Sequence, residues 1–157
     1  MSEVEQLGRG TPARPPRIGV AGTGWWASTA HLPSLATYAG AELVAVCDPV
    51  GDRARAAAAR FGVSGVFTDI ADLLAADVLD GLVVATPHTS HHAVARAALD
   101  AGVHVLVEKP LTVTADDAWA LVETAERAGL HLVAGYTYQH TSTAAFVRRA
   151  VREGIGD

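Results

Sequence analysis

Cysteine is nearly absent from this chain: its 157 residues include one, Cys47. A lone cysteine excludes an internal disulfide and the cysteine pairs of a zinc ribbon. Long apolar runs are missing too, and none approaches the roughly 18 residues that a membrane span needs. Positive charge is in the minority, with 12 Lys and Arg against 17 Asp and Glu for a formal net charge of −5. That balance, without a basic cluster, excludes nucleic acid and an anionic membrane surface as expected partners. The first sixteen residues are polar, carry Pro12, Pro15 and Pro16, and lack the apolar stretch of a signal peptide. The expectation is a cytoplasmic protein with a mobile tail over residues 1–16 and one domain over residues 17–157.

Apolar residues are abundant, at 50% of the chain, which supports a well-buried core. They fall in short runs at Ile18–Ala21, Leu43–Cys47, Val66–Phe67, Leu82–Ala85, Val103–Val107 and Leu130–Ala134. These runs do not alternate with polar residues, as expected of strands buried on both faces in a parallel sheet. Helical stretches separate them: about Trp25 to Tyr38, an Ala/Arg-rich segment ending near Gly62, Ile70 to Ala75, Ser90 to Ala101, Thr114 to Ala128 and Ala144 to Arg152. In the clearest helix, Thr114 and Asp117 resemble a capping box and Gly129 suits the C-cap. The alternation predicts an α/β fold: a doubly wound parallel sheet in a Rossmann-type, three-layer arrangement.

Chemistry is first suggested by Gly22-Thr23-Gly24-Trp25-Trp26-Ala27, a G-x-G-x-x-A between a predicted strand and a predicted helix. Gly22 permits the tight turn, Gly24 lets a pyrophosphate approach the backbone, and Ala27 lets the helix pack on the strand. The N–H groups and dipole of the helix start then hold the phosphates. Asp48 follows at the end of the second apolar run, where a carboxylate can accept the ribose hydroxyls of an adenosine and repel a 2′-phosphate. This favours NAD, while Arg53 and Arg55 nearby leave NADP open. The same pair of features also suits a methyltransferase using S-adenosylmethionine, so later residues must decide.

Those residues are Thr86-Pro87-His88-Thr89-Ser90-His91, then Ala101-Gly102-Val103-His104-Val105 and Glu108-Lys109-Pro110, with His31-Leu32-Pro33 earlier. In their order and spacing they resemble the N-terminal domain of the Gfo/Idh/MocA oxidoreductases, from about Arg17 to Asp157. The resemblance implies that Gly22, Gly24 and Ala27 cradle the pyrophosphate and that Asp48 holds the adenosine ribose. It implies that Thr86, Pro87, His88 and His91 belong to the segment running along the cofactor toward the nicotinamide. Glu108 and Lys109 would sit at the nicotinamide end, with Lys109 as catalytic residue touching nicotinamide ribose or substrate. Partial burial of Lys109 would favour acid–base work. Two positions depart from the family pattern: His88 stands where Asn is usual, and Gln139 stands where an arginine is common. Tyr138, Gln139 and His140 are candidates to border the substrate pocket.

The expected reaction is hydride transfer between nicotinamide and a sugar, cyclitol or related substrate, with a homo-oligomer open for the intact protein. Family enzymes add a second α/β domain that supplies most of the substrate pocket, and this sequence does not contain it. The chain alone is therefore expected to bind dinucleotide without turning over sugars. A stand-alone NAD(H)-binding module is the alternative. Among the histidines, His88, His91 and His92 would share one face if a single helix held all three, but no Cys or carboxylate completes a familiar zinc set, so no metal is expected. His31, His104 and His131 read as packing or surface residues. Of Trp25 and Trp26, either one covers the cofactor or both simply pack.

Overall fold

A computed structural model describes residues 14–154 of the chain. The expected tail lies outside the described residues over 1–13. At 14–16 the chain is already tied down: Arg14 Nη1 and Nη2 donate to the two oxygens of Asp80 at 2.6 and 2.9 Å, and the carbonyl of Pro16 accepts from the N–H of Glu42 at 2.9 Å.

Each apolar run becomes a strand: β1 (Arg17–Ala21), β2 (Glu42–Cys47), β3 (Gly65–Phe67), β4 (Gly81–Val84), β5 (His104–Glu108) and β6 (Leu132–Gly135). They form one sheet in the order β3-β2-β1-β4-β5-β6, and every paired register is parallel. The α-helices are α1 (Leu32–Thr37), α2 (Gly51–Phe61), α3 (Ile70–Ala75), α4 (His91–Asp100), α5 (Ala115–Ala128) and α6 (Ser142–Arg152). Both faces of the sheet are covered because successive side chains point to opposite sides. Val20, Val46 and Val83 pack with Leu32, Ala57 and Ala58 on one face. Ala21, Cys47, Leu82, Val84, Val105 and Val107 pack with Leu73, Leu99 and Leu121 on the other. Truncating a fully buried leucine here, such as Leu99, would cost about 2–5 kcal/mol. The helix α6 carries no buried residue, and its Phe146, Val147 and Val151 are exposed.

Local chemistry explains the helix limits. Thr114 Oγ1 accepts from the N–H of Asp117 at 3.2 Å, and Gly129 closes α5 in the left-handed region at φ 67°. The stretch from Trp25 to Tyr38 is not one regular helix, contrary to expectation. A π-helical segment occupies Ala27–His31, and the Leu32 N–H reaches back to the carbonyl of Ala27. The wide turn immediately precedes Pro33, which has no N–H to donate and whose ring crowds the carbonyl four residues back. Among the described residues no helix is long and apolar enough to cross a membrane.

This strand order reverses direction between β1 and β4, so the loops that follow these two strands diverge at the carboxyl edge of the sheet. Open parallel sheets bind ligands in that crevice.

Candidate functional site

The loop after β1 is fixed by contact with its neighbours. The Gly22 N–H donates to the carbonyl of Cys47 at 2.8 Å, and the residue adopts φ +88°. A Cβ at Gly22 would lie 2.5 Å from the carbonyl oxygen of Ala85, so the loop meets the end of β4 only with glycine there. A Cβ at Gly24 would meet nothing within 4 Å, which leaves its outer side open to an approaching group. Ala27 is buried beneath the loop.

Asp48 stands at the end of β2 and is 5% exposed. One carboxylate oxygen accepts from the Thr23 N–H and the Thr23 hydroxyl, both at 2.9 Å; the other accepts from the Val50 N–H at 2.9 Å. Burial alone would raise its pKa, but these donors and the charge of Arg53 hold it below the ordinary carboxylate range. The carboxylate thus anchors the glycine loop, a task the sequence reading does not assign to it. With about four acceptor positions and three in use, it has room for one further donor in this arrangement, where both ribose hydroxyls were expected. Thr23 and Arg53 border a recess of about 200 Å³ with Ser28 and Arg60. Arg55 turns away to an exposed pair with Asp52 at 2.7 Å.

The larger feature is a cleft of about 690 Å³ across the carboxyl ends of β4, β5 and β6. Of the residues expected to carry function, Trp25, Trp26, Thr86, His88, His91, Glu108, Lys109 and Tyr138 line it. Gly135, Tyr136 and Thr137 line it as well and were not expected. Gln139 and His140 do not line it; they are exposed and face each other at 3.1 Å. Pro87 is the residue before the 3₁₀ turn His88–Ser90, and its carbonyl accepts from the Ser90 N–H at 2.9 Å. Trp25 is 75% exposed and Trp26 40%, so the pair forms the cleft wall and neither is a core residue.

Glu108, the last residue of β5, organises the cleft floor. Its Oε1 accepts from the indole N–H of Trp26 at 2.6 Å and lies 2.7 Å from Nε2 of His31; its Oε2 accepts from the Lys109 N–H at 3.2 Å. Burial pushes the carboxyl pKa up, but these donors bring it below the usual range and keep it ionised. An ionised carboxylate only accepts, so His31 presents a proton on Nε2. His31 is therefore part of the site, where packing or surface exposure was expected. The π segment delivers it, a distortion that apolar periodicity does not register. The H-x-P sequence around Pro33 was the available signal. Gly135 pairs with Glu108 across the sheet, and a Cβ there would press to 3.2 Å from the Glu108 carboxyl group. The missing side chain makes room for the carboxylate.

Lys109 is exposed, so the partial burial expected to support its acid–base role is not found. The Lys109–Pro110 peptide is cis. His88, His91 and His92 do not share one helix face. His88 lies in the 3₁₀ turn and α4 begins at His91. The fully buried His91 ring spans the carbonyls of Pro110 and Thr86 at 2.8 and 2.9 Å, bracing the β4 and β5 loops against each other. His92 lies 3.8 Å from Asp117.

Residues 16–136 match the Gfo/Idh/MocA profile, described as an oxidoreductase family with an NAD-binding Rossmann fold. The chain belongs to this family. Gfo/Idh/MocA relatives include inositol 2-dehydrogenase 1 of Saccharopolyspora erythraea, 41% identical over 90% of this chain and 43% of the relative. Another is D-apiose dehydrogenase of Paraburkholderia graminis, 37% identical over 79% of this chain and 33% of the relative. Among solved structures, the scyllo-inositol dehydrogenase of Lactobacillus casei with NAD(H) and scyllo-inositol superposes at a TM-score of 0.85. It is 25% identical and is matched over 92% of this chain and 43% of its own. The 3-ketoreductase KijD10 of Actinomadura kijaniata, in complex with NADP and TDP-benzene, superposes at 0.84 with 32% identity, over 90% and 45% of the two chains. The chain thus spans a third to just under half the length of these relatives. Membership in a Gfo/Idh/MocA oxidoreductase family removes the methyltransferase reading.

Proposed function

We propose that this chain is the cofactor-binding part of an NAD(P)-dependent oxidoreductase acting on a sugar, cyclitol or related hydroxyl or carbonyl compound. The observation that carries the reading is the meeting, at one sheet edge, of an open glycine loop, an anchored carboxylate and a cleft lined by Lys109. A nicotinamide dinucleotide, when bound, supplies the acceptor or donor of hydride. The residues fit such a group. Gly22, Gly24 and Ala27, with the N–H groups that open the following helix, hold the pyrophosphate. Asp48 offers its remaining acceptor position to the adenosine ribose, which favours NAD over NADP. Arg53, in the neighbouring recess, is the group that would accommodate a 2′-phosphate.

Thr86 and His88, with Pro87 between them, lie toward the nicotinamide end, Trp26 stands in the wall and Glu108 forms the floor. Glu108 is held ionised by three donors and serves as a fixed anion; it does not exchange protons with substrate. Lys109 carries an exposed ammonium beside it, free to hydrogen-bond a substrate hydroxyl or the nicotinamide ribose and to hold or move a proton there. Tyr138, at the mouth, borders the substrate. The names of the inositol and apiose dehydrogenases support a polyol or sugar substrate class.

The test is a titration of the purified chain with NADH and then NADPH, following tryptophan fluorescence and energy transfer to the nicotinamide, with Asp48→Ala beside it. Saturable NADH binding, weaker NADPH binding and a loss of that preference in Asp48→Ala are expected. A folded chain that binds neither cofactor would refute the reading.

A further inference from the structure

His31 has no assigned task in the dinucleotide reading, yet it makes one of the shortest polar contacts to a cleft residue, Glu108. Its Nε2 and the Trp26 indole nitrogen converge on the same oxygen of Glu108, at 2.7 and 2.6 Å. The Glu108 side chain is 9% exposed and that of His31 17%, so water competes poorly for these bonds. Three elements build the arrangement together. The π segment Ala27–His31 turns His31 toward β5, the end of β5 presents Glu108, and Gly135 on β6 leaves the space the carboxylate fills. Trp26, in contrast, is 40% exposed, and only its polar edge is tied down. An indole anchored by its N–H cannot rotate freely about its side-chain bonds, so its ring stays fixed in the cleft wall.

We infer that His31 is a positioning residue: by holding Glu108 in place it fixes the indole of Trp26 as a rigid wall of the cofactor cleft. The inference rests on the dinucleotide reading for the purpose of the wall, but the positioning itself can be measured without any cofactor. With His31 removed, Glu108 keeps the Trp26 donor but loses the contact that holds its carboxylate against the π segment. The carboxylate then turns toward solvent and the indole follows it.

The test uses the full chain carrying Trp25→Phe and Trp119→Phe, which leaves Trp26 as its single tryptophan. In this background His31→Ala is expected to raise the acrylamide quenching of Trp26 and to shift its emission to longer wavelength. It should also weaken NADH binding about tenfold, the scale of a lost hydrogen bond to a charged group. His31→Gln, whose amide N–H reaches about as far as Nε2, should restore both readouts. If His31→Ala leaves quenching and emission unchanged, the inference is overturned. If His31→Ala changes them and His31→Gln does not restore them, the role is packing and the inference is again overturned. Should His31→Ala fail to fold, His31→Phe replaces it. That change keeps a ring of similar bulk but removes the donor to Glu108, and the same loosening of Trp26 is expected. A folded parent chain that binds no NADH would refute the dinucleotide reading, while the quenching of Trp26 would still decide the role of His31.

Discussion

The two ends of the sheet each hold a carboxylate satisfied by several donors, and they use it differently. At the amino edge, Asp80 accepts from Arg14 and Arg17 and from the Arg17 N–H at 2.7 Å, with 29% of its side chain exposed. At the carboxyl edge, Glu108 accepts from an indole, an imidazole and a backbone N–H, with 9% of its side chain exposed. Both carboxyl pKa values are lowered. The donors of Asp80 are two guanidinium groups and a strand N–H, so that carboxylate is taken up by positive charge and fastens residues 14–17 to the sheet. One of the donors to Glu108, the Trp26 indole, is a side chain of the cleft itself, so that cluster shapes a surface open to a ligand. Satisfied hydrogen bonding does not separate a structural carboxylate from a functional one. What separates them here is what the donors face on their other side.

The largest expected effect comes from filling the turn that joins β1 to the carboxyl edge. Gly22→Ala forces a Cβ into the carbonyl of Ala85 at a positive φ, at a cost of about 2–4 kcal/mol. Urea unfolding should show the loss of stability, and NADH binding should disappear with it. A crossed pair of substitutions sharpens the comparison of the two edges. Glu108→Ala leaves the Trp26 and His31 donors without their acceptor, at about 1–3 kcal/mol, and should weaken NADH binding about tenfold. Asp80→Ala, more exposed and screened, should cost about 1 kcal/mol and leave NADH affinity unchanged. Equal effects of both on NADH would erase the distinction between the edges.

Acid should weaken both edges together. Glu108, Asp48 and Asp80 all have folded pKa values below their unfolded ones. The unfolded chain therefore binds more protons as the pH falls, and their stabilisation, complete above the unfolded values near about 4, is lost as the pH drops through the folded ones. The urea midpoint should decline slightly below about 6.5, where burial and His131 hold the pKa of His104 down, and fall more steeply below about 4. The smallest effect concerns Cys47: burial, and then nearby aspartates, push its thiol up to about 11. It should resist alkylation at neutral pH until the chain unfolds.

Much of the fold was legible because it depends on local pattern. Continuous apolar runs marked all six strands, and Thr114 and Gly129 marked the ends of α5. The glycine loop and Asp48 were visible as residue types in the right order. Less legible was anything that depends on how two elements meet. Asp48 turns back onto Thr23, a contact made across the loop and not along the chain. His31 reaches Glu108 because the helix widens before Pro33, and a sequence shows the proline without the direction of the distortion. The meaning of Gly135 emerges only from the β5–β6 register. Lys109 lines the cleft, and its exposure depends on the turn that follows β5.

The central claim is that dinucleotide binds at the carboxyl edge, and amide hydrogen exchange with and without NADH tests it most directly. The account predicts slower exchange in the loops after β1 and β4 and around Glu108 and Lys109, with no change near Asp80, His104 and His131 at the opposite edge. Protection confined to that opposite edge, or none anywhere in a folded chain at saturating NADH, would contradict it.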